Sequence, residues 1–171
     1  QIVNSTFNGT SAMSGGAVYS RDNATVSESR FQGCEAAENG GCLYSGSMTS
    51  VTSTAFSDSI AGGKGGALFI TNGNVLIQSS SFSNTESRSG GAIYHDEVVC
   101  AAPPCNVLTL HNTGINNSRA DLSGGGVYTR GAFSISNATF AFTLAVPGHG
   151  GAISVGGAAN VGGPTTPNAP A

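Results

Sequence analysis

The chain has 171 residues, carries six basic against nine acidic side chains for a net charge of −3, and is only 9% charged, where soluble domains average about 25%. Its 26 glycines, 38 serines and threonines, single lysine and lack of tryptophan leave too few Ala, Leu, Glu, Lys and Arg for a helical bundle. They leave no basic footprint for nucleic acid, and no apolar run approaches the ~18 residues of a membrane span.

Taken from the amino terminus, the chain states one unit and then repeats it. Ile2 is followed by Phe7 and then by GGAVY from Gly15. The last motif returns as GGCLY from Gly40, GGALF from Gly65, GGAIY from Gly90, GGGVY from Gly124 and GGAIS from Gly150, at spacings of 25, 25, 25, 34 and 26. Eight to ten residues ahead of each copy stands Phe7, Phe31, Phe56, Phe82, Ile115 or Phe140, and five residues ahead of those stands Ile2, Val26, Val51, Ile77, Leu110 or Ile135. Three columns in register over six copies predict an internal repeat architecture.

A period near 25 without 3.6-residue amphipathicity predicts three short strands per unit, one lap of an all-β parallel β-helix. Like residues of successive laps then stack about 4.8 Å apart, and six laps make a rod roughly 29 Å long. The phenylalanines form an interior ladder, each buried ring contributing roughly 1.5–3 kcal/mol. Side chains alternate along a strand, so positions five apart cannot both face inward on one straight strand. A corner therefore falls between the aliphatic and Phe columns, near Ser29–Arg30 or Thr54–Ala55, and the Gly-Gly pairs serve a second corner. The preferred orientation puts the aliphatic residue of GGAVY inside and Tyr19, Tyr44, Phe69, Tyr94 and Tyr128 on the outer face; the reverse is the alternative.

The helix is expected over residues 1–155. The 34-residue spacing holds an inserted loop at 95–106 containing CAAPPC, and 156–171 reads as a Gly/Pro/Thr-rich linker or tail. Cys34 and Cys42 flank one Gly-Gly corner, while Cys100 and Cys105 lie close enough to staple the loop. Two close pairs are consistent with disulfides in an oxidising compartment, with buried free thiols as the alternative. Asn4, Asn8, Asn23, Asn116 and Asn137 each open an N-x-[ST] sequon; Asn8 and Asn116 share one column and Asn4 and Asn137 another, and both columns are polar in nearly every lap, as outward positions should be. The chain opens inside a lap and has no amphipathic cap, which suggests a segment of a longer secreted chain or a subunit that stacks end to end.

Candidate chemistry is sparse. Glu35 with Glu38 and Asp96 with Glu97 are the only close acids that suggest a pair, and neither faces a partner carboxylate in register as a glycosidase requires. Asp96–Glu97 reads as a solvated turn with no arginine in register for calcium-assisted lysis. His95 and His111 read as surface residues, and no metal site or cofactor is expected. Gly62–Gly63–Lys64–Gly65–Gly66 lacks the GxxxxGK[ST] spacing of a phosphate loop.

The GGA-aliphatic motif with a paired Phe resembles the repeats of polymorphic outer-membrane proteins, written GGA[ILV] and FxxN. GGA is strict at Gly15, Gly65, Gly90 and Gly150, while the FxxN asparagine is replaced by Thr10, Cys34, Ser59, Thr85, Ser118 and Thr143. The resemblance covers residues 1 to about 155 and implies a right-handed parallel β-helix of the pectin-lyase-like kind, displayed at a cell surface and often used for adhesion; similar repeats occur in secreted algal and protist proteins. Gly148–His149–Gly150 is similar to a triplet of polygalacturonases, without its NTD, DD and RIK companions. The expectation is a non-catalytic extracellular or cell-surface scaffold, a segment of a larger protein or of a filament or wall, with protein or glycan partners. An adhesin-type binding module using the inserted loop and a degenerate polysaccharide lyase or hydrolase are the alternatives.

Overall fold

The structure, a computed structural model, describes residues 1–97 and 106–156 and the backbone of 159–161. The described chain climbs as a parallel β-solenoid of about six laps, with three sheets running the length of the rod. The first sheet stacks Ile2–Val3, Ala24–Ser27, Thr49–Thr52, Val75–Gln78, Val107–His111, Ala132–Ser136 and Ala159–Val161. The seventh of these strands lies inside the stretch that composition assigns to a tail. The second sheet is the longest, with Ala55–Ala61, Ser81–Ser89 and Gly114–Ser123 at its centre. The third stacks Val18–Ser20, Leu43–Ser45, Leu68–Ile70, Ile93–His95, Val127–Thr129 and Ile153–Val155.

The three sequence columns are the three interior seams. Ile2, Val26, Val51, Ile77, Leu110 and Ile135 pair rung to rung. Phe7, Phe31, Phe56, Phe82, Ile115 and Phe140 do the same. The rings of Phe7, Phe31, Phe56 and Phe82 stack 4.7, 4.8 and 4.9 Å apart and nearly parallel. In the third sheet Leu43, Leu68, Ile93 and Val127 are buried and the aromatic residue beside each faces outward, which is the preferred orientation.

Each lap turns through three left-handed backbone positions, and their residue types differ for steric reasons. The first column is Asn4, Glu28, Ser53, Ser79, Asn112 and Asn137, with φ between 47° and 50°. It falls just before the corner expected from alternation. The second column is Gly9, Gly33, Asp58, Asn84, Asn117 and Phe142. Gly, Asn and Asp tolerate this region best. The third is glycine throughout: Gly15, Gly40, Gly65, Gly90, Gly124 and Gly150. A side chain on Gly65 would run into the carbonyl of Leu68 in its own turn, and one on Gly66 into the carbonyl of Gly91 in the next lap. The Gly-Gly motif thus answers two separate demands, a tight turn and close stacking.

The first corner has a second device. Ser5, Ser29, Thr54, Ser80 and Thr113 each donate a hydroxyl to the carbonyl two residues back, at 2.7–2.9 Å. The backbone N–H groups of Ser5, Ser29 and Thr54 in turn donate to the hydroxyl one lap on, at 3.1, 3.4 and 3.2 Å. A turning backbone cannot offer every N–H to the neighbouring strand, and an unpaired buried donor costs about 1–3 kcal/mol. The hydroxyl column supplies the missing acceptor.

Candidate functional site

The most chemically varied part of the rod lies where the longest lap begins. Strand alternation from Ile93 turns Tyr94 outward and His95 inward. His95 is therefore a core residue, not the surface residue that its polar neighbours suggest. Its Nε2 lies 3.1 Å from the Gly73 carbonyl and its Nδ1 lies 3.0 Å from the Thr129 hydroxyl, which accepts from the N–H of Gly131 at 3.2 Å. A carbonyl can only accept, so Nε2 carries the proton and Nδ1 receives the Thr129 hydroxyl. Burial holds the imidazole below its ordinary pKa, against the opposing pull of the Gly73 carbonyl, Glu97 and Asp96.

Asp96 and Glu97 also depart from the solvated turn expected of them. Asp96 Oδ1 lies 3.0 Å from Arg130 and Oδ2 lies 3.4 Å from Lys64, so one carboxylate ties together laps separated by 32 and 34 residues of chain. The arginine in register, not apparent from spacing, is Arg130. Lys64 Nζ sits 4.6 Å from the centroid of the Tyr94 ring and 6.0 Å from that of Phe69, in reach of cation–π attraction. Burial first, and then the charge of Asp96, hold the Tyr94 phenol well above its usual range. Glu97 is buried; Oε1 accepts the N–H of Asn106 at 3.0 Å, and Oε2 has no partner among the described residues. With the bond from Val107 N–H to Asn74 Oδ1 at 2.9 Å, this contact closes the base of the inserted loop.

The other candidate residues are dispersed. His111 is exposed on the outer side of the first sheet, its Nδ1 2.8 Å from the Ser136 hydroxyl. His149 is exposed at the last Gly-Gly corner. Asn4, Asn8, Asn23, Asn116 and Asn137 are all exposed, and Asn137 donates to Asn112 at 3.0 Å. Cys34 and Cys42 are buried free thiols, not the disulfide that their spacing suggests. Cys34 is a member of an interior polar column with Ser59, Thr85 and Ser118, and Cys42 packs against it: Cys42 Sγ lies 2.9 Å from the Ser59 hydroxyl, and Thr85 donates to Ser118 at 2.8 Å. A hydrogen bond from Cys42 draws the Cys34 thiol down, while burial pushes that of Cys42 up. Cys100 and Cys105 lie outside the described residues.

Two surface features were not foreseen from the sequence. An open groove of about 590 Å³ follows the first corner over several laps, lined by residues that include Asn4, Glu28, Arg30, Ser53, Ser79 and Asn112. At the second corner Asn117 donates to Asn84 and Asn84 to Asp58, both at 2.8 Å. The signal for both was present as polar residues at constant offset from the Phe column.

The architecture defines the class, a parallel β-solenoid with polar outer columns. No family model, curated protein or solved structure matches the chain. Among the described residues no helix is long and apolar enough to cross a membrane, and no group of three or more His, Cys, Asp or Glu could hold a metal ion.

Proposed function

We propose that this chain is a non-catalytic extracellular or cell-surface scaffold, a stiff segment whose outer columns of hydroxyl, amide and tyrosine groups are presented to protein or glycan partners. One observation supports the reading above the others: most of the ionic contacts bind lap to lap. Asp96 is held between Lys64 and Arg130, and Arg119 lies 3.8 Å from Glu86 of the neighbouring lap and 3.5 Å from Asp121 of its own strand. Pairs of this kind link successive laps along the rod. The five exposed sequons fit a surface that carries glycans. Two measurements test the proposal. The purified chain, incubated with a panel of plant, fungal and bacterial polysaccharides, should release no new reducing ends, and cleavage would overturn the non-catalytic reading. Antibody against the outer face of the second sheet should label intact cells of the source, and labelling only after permeabilisation would overturn the extracellular one.

A second reading, an adhesin-type glycan-binding module, is favoured by the corner groove. Its lining repeats once per lap and mixes hydroxyl and amide groups with Glu28 and Arg30, a pattern suited to a linear polyhydroxylated chain lying along the rod. Titration with soluble oligosaccharides of increasing length should then show affinity rising with length and lost in Ala55→Lys, which places a long side chain in the groove. Equal affinity in that variant removes the reading.

A further inference from the structure

The four tyrosines form two stacked pairs on the outer ladder, with Phe69 between them. The Tyr19 and Tyr44 rings lie 4.7 Å apart at 18°, and those of Tyr94 and Tyr128 lie 4.7 Å apart at 15°. Phe69 is 5.2 Å from Tyr44 and 5.5 Å from Tyr94. Contact alone would treat the two pairs alike, but their surroundings differ. Tyr19 is 54% exposed and Tyr44 is half-buried, so the phenols of this pair are open to solvent. Tyr94 is 4% exposed and lies under the Lys64 ammonium, with the Asp96–Arg130 pair alongside. A cation over a ring is attracted to its electron-rich face and so opposes removal of an electron from it. Burial denies the departing phenol proton a water to accept it.

We propose that Tyr19 and Tyr44 form a site of oxidative coupling, at which a peroxidase-class oxidant joins the first two laps through an intrachain dityrosine while Tyr94 and Tyr128 are spared. Each phenol gives up one electron and one proton. The two resulting radicals pair through a ring carbon ortho to each oxygen, and the hydrogens on those carbons move to the oxygens to restore both aromatic rings. Hydrogen peroxide takes up the two electrons and two protons and becomes two waters. The absence of tryptophan removes one side chain that competes for the oxidant, and the free thiols of Cys34 and Cys42 are buried away from it. The site stands apart from the scaffold reading and would exist whatever the rod binds.

The sequence makes the test direct. Trypsin cleaves after Arg21, Arg30, Lys64, Arg88, Arg119 and Arg130, which places each tyrosine in a different peptide. The chain, dilute and monomeric, is treated with a haem peroxidase and hydrogen peroxide, then read by dityrosine fluorescence and by mass spectrometry of the digest. The expected product is peptide 1–21 joined to peptide 31–64, lighter than their sum by two hydrogens, within a chain that still runs as a monomer. Tyr19→Phe should lose this product and Tyr128→Phe should keep it, both with an unchanged β-sheet circular dichroism spectrum. Three results would overturn the proposal: joining of 89–119 to 120–130 in equal or greater yield, coupling only between chains, or no coupling where free tyrosine in the same mixture couples.

Discussion

Two aromatic ladders climb the rod, one on the inner face of the second sheet and one on the outer face of the third. The interior ladder of Phe7, Phe31, Phe56 and Phe82 and the outer ladder from Tyr19 to Tyr128 have nearly the same pitch, 4.7–4.9 Å against 4.7–5.5 Å. Their environments are opposite. Phe31, Phe56 and Phe82 are sealed on every side, whereas Tyr19 is largely open and only the middle rungs, Phe69 and Tyr94, are covered. Stacking distance therefore says little about stability. What separates the ladders is the area removed from water, which scales with burial, and the ring–ring term, which is smaller and common to both.

The contrast can be pressed with substitutions of decreasing effect. Phe56→Ala should cost roughly 3–5 kcal/mol, as buried phenylalanine truncations do, measured by urea unfolding; a loss below about 1 kcal/mol would show that the inner ladder is not what holds the rod. Gly66→Ala forces a methyl group against the backbone of the next lap and should cost at least about 1–3 kcal/mol. The same change at Gly9, where nothing lies within 4 Å of the added carbon, meets only the left-handed backbone. His95 should make stability depend on pH. The unfolded chain takes up its proton near the ordinary value of about 6.5, and the folded chain only at lower pH, because burial opposes the charge. Between those two values the unfolded state binds more protons, so stability falls as the pH drops below about 6.5, by at most about 1.4 kcal/mol per pH unit, and levels off below the folded-state value. His95→Gln should remove that component from denaturation curves taken across this range.

On the outer side the expected effects are smaller. Tyr44→Leu retains apolar bulk and loses the stack, at a cost of about 0.5–1.5 kcal/mol. A double-mutant cycle with Lys64→Met and Asp96→Asn should give a coupling of about 0.2–1 kcal/mol, and a value several-fold larger would make the charged strap, not the rings, the main support of the outer ladder.

The interior was legible in the sequence because three columns of large residues kept constant spacing, and only stacked laps explain that. The preferred outward position of Tyr44 and Tyr94 followed from alternation beside Leu43 and Ile93. The strap was not legible. Lys64, Asp96 and Arg130 stand 32 and 34 residues apart, and the insertion between Glu97 and Asn106 hides which residues share a rung. His95 was disguised by its column, which in other laps holds Ser20, Ser45, Ile70, Thr129 and Val155, a mixture of hydroxyl and aliphatic side chains. Cys34 misled for a different reason. Its spacing to Cys42 suggests a bridge, but its column of Thr10, Ser59, Thr85 and Ser118 shows that the position wants a small hydrogen-bonding side chain, which a thiol satisfies. The corner hydroxyls of Ser29, Thr54 and Ser80 were visible as polar residues, but their role depends on a backbone turn that periodicity does not reveal.

The close fit at Gly66, where one lap's backbone fills the space a side chain would need in the lap before it, sets the grain size of change in this molecule. A single added or lost residue in the strands would bring a bulky neighbour under a carbonyl and misalign every column above it, whereas gain or loss of one complete circuit reproduces the same contacts. Such a rod can be lengthened or shortened by duplication in whole steps, with new material tolerated at the bend before the first sheet, where the sequence of the longest lap already carries extra residues between Glu97 and Asn106.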